Sequence, residues 1–501
     1  MNVVDFLFEK AQTLTKEFVA GSKERITCRE LCLEVRALAG FIHSEYGSGN
    51  EFMLLSDNSL FFIICYLAIM KSGNVVVLVA PRISGAQLEA IITRCSLRAV
   101  FLEDKFRSKV PETYRRYTES LLTAMSDGEG VLDAQTDDDD VAAIIFTSGS
   151  TGEQKGVMLT HKNIRVNTES ILSCMGITAE DRMEVVLPFY YCYGTSLLHT
   201  HLRAGGSIVI NKSVFLGSVI KEIEDYRCTG FAGVPATYQI LIHRTNFLEQ
   251  DFPSLRFLAQ AGGKLTTPYI AQIVNEFKDK TFFVMYGATE ATARLSCLDP
   301  RRLREKLGSI GKGIPGVTLE VLDENDHPVK PGEEGQITAR GDNIMKGYYK
   351  DPEGTKEVLK NGRYYTGDLA TVDEDGFIYV VGRARNIIKS AGFRISPDEV
   401  EEVIAKVDKV LQSVVIGVPD ELMGEAVAAV VETNAPSEEL KNDIISTCNS
   451  SLASYKVPRR VVFSSRFPLN SSGKVDVPRL KQMATAKITT AEVETSLLTI
   501  E

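Results

Sequence analysis

Apolar residues fall in short blocks along the first 130 positions, and the blocks alternate between two spacings. "EFMLLS", "NVVVLVA" and "LRAVFL" are compact apolar runs, whereas "LFFIICYLAIM" (Leu60 to Met70) and "SGAQLEAIITRC" read as helices. Strand, helix, strand in that rhythm predicts right-handed crossovers and a mainly parallel sheet. A second series follows in "MEVVLP", "GGSIVI", "GFAGVP", "LRFLAQAGG" and "TFFVMYG", each a short apolar strand ending in Gly or Pro. Loops at the carboxyl ends of such strands are where α/β proteins hold ligands. From about Val317 the texture shifts to "VTLEVLD", "GQITARG" and "RYYTGDLATVDEDGFIYVVG", short strands with Gly and Asp turns that predict an antiparallel or barrel-like subdomain. A third texture starts after Gly382. "SPDEVEEVIAKV" opens with helix-start chemistry, "LQSVVIGVPD" and "EAVAAVVE" read as strands, and a small α+β domain fits Asn386 to about Arg479. The predicted class is therefore α/β: a large N-terminal domain of mainly parallel sheets, a small β-barrel-like subdomain, and a small α+β C-terminal domain.

Composition narrows the function. The 501 residues exceed what one core usually organises, and 44% are apolar, so several domains with ample cores are expected. With 56 Lys and Arg against 66 Asp and Glu, the net charge of -10 repels polyphosphate backbones, which argues against nucleic acid as a partner. Nine cysteines form no paired metal-binding spacing, and they read as reduced thiols of a cytoplasmic protein. The start "MNVVDFLFEKAQ" lacks a basic run ahead of an apolar core, so no secretory signal is expected. Leu60 to Met70 falls short of the roughly 20 residues a bilayer span needs, and is expected to be a buried helix. "DAQTDDDD", Asp133 to Asp140, reads as a solvated linker.

Candidate chemistry begins with "FTSGSTGEQKGV", Phe146 to Val157, directly behind the apolar run "VAAIIF". A Gly-, Ser- and Thr-rich loop after a strand turns backbone N–H groups inward and binds anions. Thr147, Ser148, Ser150 and Thr151 add hydroxyl donors and Lys155 a positive charge. Walker A fails, because Gly149 and Gly152 stand too close together and Lys155 is followed by Gly156. A kinase glycine loop fails as well, since its companion motifs are missing. "MYGATE" puts Tyr286, Gly287, Thr289 and Glu290 at a strand end, where an aromatic can stack on a base and a carboxylate can take Mg²⁺. "YYTGDLA" sets Asp368 in a turn suited to ribose hydroxyls. "GRARNIIKSAGFRISPDEVE" supplies Arg383, Arg385, Lys389 and Arg394, and "NSSGKVDVPRL" supplies Lys474. Each motif alone has a bland reading as a turn or a charged face.

Taken together, the motifs resemble the adenylate-forming superfamily, which includes acyl-CoA synthetases, peptide-synthetase adenylation domains and luciferases. The resemblance runs from about residue 20 to 480. It implies two half-reactions: a carboxylate attacks the α-phosphate of ATP, giving acyl-AMP and pyrophosphate, and a thiol or amine then displaces AMP. It also implies the roles. Thr147, Ser148, Gly149, Ser150, Thr151, Gly152 and Lys155 would close over the β and γ phosphates. Thr289 would contact the α-phosphate and Glu290 the Mg²⁺. Gly262, Gly263 and Lys264 of "AGGKL", with Tyr286 and Gly287, would frame the adenine, and Asp368 and Arg383 would hold the ribose. Lys474 would bridge the attacking carboxylate and the α-phosphate. The domains implied are 1–384, an adenylation domain, and 386–501, a mobile lid that rotates about Arg385. After rotation, Gly392 would admit the thiol of a pantetheine arm, and Arg394 would meet ATP before it.

Three departures stand out. Family members mostly carry Asp or Lys at the hinge, not Arg385; proline, not Gln154, usually precedes the loop lysine; and Tyr191 stands where many carry a histidine or other aromatic that gates the acyl pocket. The acyl pocket is expected to be walled by Tyr191, Cys192, Phe231, Val234 and Ala261. "FYYCYGTS" offers no acid to pair an ammonium, so a simple carboxylic acid is expected over an α-amino acid. The expected acceptor is CoA. The alternative is a stand-alone ligase that loads a carrier protein's phosphopantetheine, and a catalytically silent nucleotide-binding regulator is disfavoured by the presence of all the key residues.

Overall fold

A computed structural model describes residues 1–21, 23–124, 134–148, 154–213, 216–384, 386–390, 392–420, 423–470, 473–490 and 499–500. Two sheets form the bulk of the N-terminal part. One runs, edge to edge, Gly347–Tyr348, Gln154–Thr160, Val141–Ser148, Val75–Leu78, Glu51–Leu55, Leu97–Leu102, Arg116–Tyr117. The other runs Lys312–Gly313, Ser296–Cys297, Thr281–Tyr286, Phe257–Gln260, Gly230–Gly233, Arg182–Val185, Ser207–Ile210, Glu17–Val19, Ile26–Thr27. Their interiors are parallel, as α crossovers between buried strands require; antiparallel strands close both edges of the second sheet and one edge of the first, whose other edge, Arg116–Tyr117, is parallel.

The apolar helix Leu60–Lys71 is buried along Phe61 to Met70. It lies in a shared core that takes residues from both sheets and from the helices Val3–Ala11, Cys28–Tyr46, His161–Met175 and Cys192–Ala204. Apolar all round, it could be stable only in such a middle layer. The outer face of the first sheet is covered by Gly85–Arg94, and that of the second by Ser218–Asp225, Pro235–Arg244 and Thr267–Glu276. The stacking is thus helix, sheet, helix, sheet, helix.

The stretch whose texture shifts near Val317 is an antiparallel sheet of Thr318–Leu322, Gly335–Arg340, Arg363–Val372, Leu359–Lys360 and Ile378–Arg383. A separate sheet follows, with Ile388–Ser390, Phe393–Ile395, Gln412–Asp420, Gly424–Glu432, Arg460–Ser464 and Thr499–Ile500, packed on Pro397–Ile404, Glu438–Ser451 and Val477–Thr490. The last strand runs parallel to Phe463 and Ser464. In the stretch ahead of Val141, Asp138 is more than a solvated spacer, for it pairs with the amino terminus at 2.9 Å and with Arg165 at 2.5 Å. No helix among the described residues is long and apolar enough to cross a membrane.

Candidate functional site

The glycine-rich stretch falls between two antiparallel strands, Val141–Ser148 and Gln154–Thr160, with Thr147 opposite Lys155 and Ser148 opposite Gln154. Gly149, Ser150, Thr151 and Gly152 lie outside the described residues, as does Arg385, and of Ser148 only the backbone is described. Thr160 ends the hairpin and caps the next helix, its side chain accepting from the Asn163 N–H. Lys155 Nζ stands 4.6 Å from the centre of the Tyr348 ring and 3.9 Å from Asp351. The Tyr348 hydroxyl in turn donates to Glu290 Oε1 at 2.8 Å.

Glu290 and Thr289 sit on a loop that folds back on itself. Leu295 N–H returns to the Tyr286 carbonyl at 2.9 Å, and Gly287 permits the return, because a Cβ there would stand 1.8 Å from the Ala293 carbonyl oxygen. Thr292 takes φ 68°, rare for a β-branched residue, and its hydroxyl donates to the Asn343 carbonyl at 2.7 Å. Thr289 Oγ1 donates to Cys192 Sγ at 3.3 Å, which ties this loop to the start of helix Cys192–Ala204. Burial pushes the Cys192 thiol up.

Asp368 accepts from the Tyr286 hydroxyl at 2.6 Å and pairs with Arg383 at 2.9 Å. Strand pairing places Asp368 directly opposite Arg383, and the carboxylate holds the guanidinium pKa up. Burial pushes the Tyr286 hydroxyl well above its ordinary range.

Lys474 arrives from the C-terminal part, in the segment between strand Arg460–Ser464 and helix Val477–Thr490. It packs over Gly262, which has φ 89°; a Cβ on that glycine would lie 3.2 Å from Lys474 Cε and 3.1 Å from Val234. Val234, Gly262, Gly263, Lys264 and Lys474 line a cleft of about 230 Å³ with Glu401, Gln412 and Ser413. Burial lowers the Lys474 pKa, and Arg383 adds to that, while Asp368 opposes it.

Other expected residues stand elsewhere. Lys264 reaches Glu402 of the C-terminal part at 3.6 Å and so fastens the two parts together, a contact repeated by Arg244 with Glu432 at 2.6 Å and by the Tyr269 hydroxyl with the Leu411 carbonyl. Arg394 is exposed on the Ile388–Ser390/Phe393–Ile395 hairpin. Gly392 has φ 84° and nothing within 4 Å of a built Cβ, so here its backbone conformation, rather than crowding, calls for glycine. Phe231 corrects the expected acyl wall. Its side chain packs against Tyr238 and Phe247 in the outer core, because strand alternation gives the middle layer to Ala232. Val234 and Ala261 do belong to the middle layer beside Cys192, and Tyr191 precedes the helix with its ring 6.2 Å from Tyr190.

Tyr348, Tyr193 and Arg294 were not singled out by motif. Nothing in "KGYYK" marks Tyr348, whereas an arginine inside the otherwise small and apolar "ATARLS" was a visible signal.

The donor set suits Mg²⁺. Glu290 is one carboxylate with one oxygen engaged by Tyr348, and no cluster of three metal-ligating side chains occurs among the described residues. Magnesium commonly binds one or two carboxylates and takes its other ligands from phosphates and water.

Residues 8–349 match the family described as AMP-binding enzyme, and residues 399–474 match the AMP-binding enzyme C-terminal domain. A feruloyl-CoA synthase of Amycolatopsis sp is 33% identical over 437 residues, spanning 81% of this chain and 88% of that protein. A long-chain-fatty-acid–CoA ligase of Yersinia pestis is 30% identical over 502 aligned positions, with 90% and 89% covered. The solved o-succinylbenzoate CoA synthetase of Bacillus subtilis, in complex with its acyl-adenylate intermediate, is 25% identical with a TM-score of 0.85, covering 95% of this chain and 98% of that one.

Proposed function

The chain belongs to the AMP-binding enzyme family, and from that premise we propose that it is an AMP-forming acid–thiol ligase that activates a carboxylic acid with ATP and passes the acyl group to CoA. The observation that carries this reading is the convergence of Lys474, from the C-terminal part, on the cleft that also holds Gly262 and Val234. No nucleophile of the protein is needed. In-line attack at phosphorus calls for positioning and for stabilisation of a crowded anionic transition state.

Asp368 takes the ribose hydroxyls, with Arg383 and Tyr286 fixing its carboxylate so that both oxygens are aimed before ATP arrives. Tyr286 and the Gly262–Gly263 backbone bound the adenine. Thr289 and Lys474 meet at the α-phosphate. The Lys474 amine, held below its ordinary pKa by burial, regains its proton's stability when the acid carboxylate and the α-phosphate flank it. Lys155 and the hairpin hydroxyls hold the pyrophosphate that leaves. Glu290 would hold Mg²⁺, which would supply positive charge to offset that of the phosphates.

For the second half-reaction the C-terminal part swings about Arg385, withdraws Lys474 and admits the CoA thiol past Gly392. The ion pairs Lys264–Glu402 and Arg244–Glu432 must break in that motion. Lys264–Glu402 is part-exposed on both sides, and such pairs are typically worth about 0–1 kcal/mol, whereas Arg244 meets a buried Glu432 carboxylate and is the firmer of the two latches.

The test is ATP-dependent pyrophosphate release across short, medium, long and aryl acids, with CoA and a holo carrier protein offered separately. Release followed by acyl-CoA formation is expected. Absence of release with every acid would sink the ligase reading, and turnover with the carrier alone would move the acceptor from CoA to a carrier.

A further inference from the structure

Arg294 is a cation in the wrong place for a purely apolar acyl pocket. It is 2% exposed, and its Nε has no hydrogen-bond partner. No carboxylate lies within ion-pair distance of it among the described residues. The acid near it in sequence, Asp299, is already engaged by Arg301 at 2.6 Å and 3.0 Å. What surrounds the guanidinium is neutral or weakly acidic: the Tyr193 ring at 4.9 Å to its centroid, with the Tyr193 hydroxyl, and the thiols of Cys174, Cys192 and Cys297 close enough to feel its charge. A guanidinium cannot shed its proton to escape burial, and an unpaired buried charge is strongly unfavourable unless something joins it.

Its position says what would join it. Arg294 lies five residues beyond Thr289 on the same folded-back loop, and Asn167 and Asn343 fix that end of the loop through the Arg294 backbone carbonyl at 2.9 Å and 3.1 Å. Tyr193, on which it stacks, directly follows Cys192, whose sulfur accepts from Thr289. A carboxylate reacting at Thr289 and Lys474 therefore has Cys192 and Tyr193 alongside, and Arg294 beyond them. A small cavity with room for roughly one water is lined by Ala293, the neighbour of Arg294, and by Cys192; its wall is mainly apolar, with Asn167, Thr195, Ser196 and His199 as polar members.

Resting on the ligase reading above, we propose that Arg294 is a specificity residue that receives a second, distal anionic group, and that the substrate is a dicarboxylic acid. Burial then serves selection. The arginine strengthens its bond to a distal carboxylate in a dry site and disfavours chains that would bring only methylene groups to it.

Matched acids test this: butanoate against succinate, hexanoate against adipate, and benzoate against isophthalate, scored by pyrophosphate release as kcat/KM. For at least one pair the diacid is expected to exceed its monoacid by about tenfold to a hundredfold, the usual range for a charged hydrogen bond. Arg294→Leu is expected to erase or invert that ratio, and Arg294→Lys to retain part of it. Monoacids equal to or better than diacids in every pair, or a ratio unchanged in Arg294→Leu, would overturn the proposal. Should Arg294→Leu not fold, the wild-type ratios and Arg294→Lys decide. Thermal shift of the ATP-free protein by the same acids gives an independent arm. If no acid releases pyrophosphate, the ligase reading fails on its own, while a diacid-specific rise in melting temperature that is weakened in Arg294→Lys still upholds the anion site, and its absence removes it.

Discussion

The nucleotide side and the acyl side of the Lys474 cleft manage charge in opposite ways. On the nucleotide side the key groups are already partnered: Asp368 between Tyr286 and Arg383, Glu290 against Tyr348, Lys155 between Tyr348 and Asp351. On the acyl side two cations, Lys474 and Arg294, have no carboxylate in ion-pair distance among the described residues. ATP is a large ligand with many handles, and a preformed network spares the cost of ordering side chains when it binds. The attacking acid is small, so its contribution depends on a few strong bonds, and a cation left without a partner makes those bonds count most.

The comparison breaks most sharply at Lys474. Lys474→Ala should slow adenylate formation by about a hundredfold to a thousandfold, the usual effect of losing one transition-state donor, while thioester formation from supplied acyl-AMP stays within a few-fold of wild type. Equal loss in both steps, measured by single turnover, would contradict the two-position assignment. Asp368→Asn strips the partnered side. It leaves Arg383 without its ion pair, and the KM for ATP should rise by about tenfold to a hundredfold with a smaller change in kcat. A subtler test is Tyr348→Phe, which frees the Glu290 carboxylate without removing it; a titration should show the apparent Mg²⁺ affinity falling by about tenfold, as losses of outer-shell partners do.

The smallest effect concerns the join between the parts. Burial, with Asp398 adding to it, pushes the Glu401 carboxyl up to about 8, and Glu401 lines the cleft beside Lys474. A raised carboxyl pKa means the docked state keeps a proton that the unfolded chain loses. Its contribution is fully present below the ordinary value of 4.5 and is lost as pH rises to about 8. Melting temperature should therefore decline across that window, and Glu401→Gln should flatten the decline by about 2–4 °C. Identical slopes in both proteins would remove Glu401 from the account.

Much of this molecule was legible in the chain. Runs such as "NVVVLVA" and "TFFVMYG" could be buried only as inner strands, and "LFFIICYLAIM", apolar on every side, could rest only between two layers. The motif residues Thr289, Glu290, Asp368, Arg383 and Lys474 were also visible, since each sits at a strand end or turn with its own local signature. Phe231 was misplaced for a physical reason: strand alternation is strict, but which face meets the acyl space depends on how the second sheet is layered.

By itself, then, the sequence determined the elements, their order and the polar groups at their ends, because local periodicity and turn chemistry act over a few residues. The tertiary structure alone decided the partnerships. Tyr348 meets Glu290 across 58 positions, Lys474 meets Gly262 from the C-terminal part, and Arg294 is buried with no carboxylate in ion-pair distance among the described residues. Those outcomes depend on which distant groups the packed layers bring within a few ångströms, and on water being excluded there. No pattern confined to neighbouring residues encodes either.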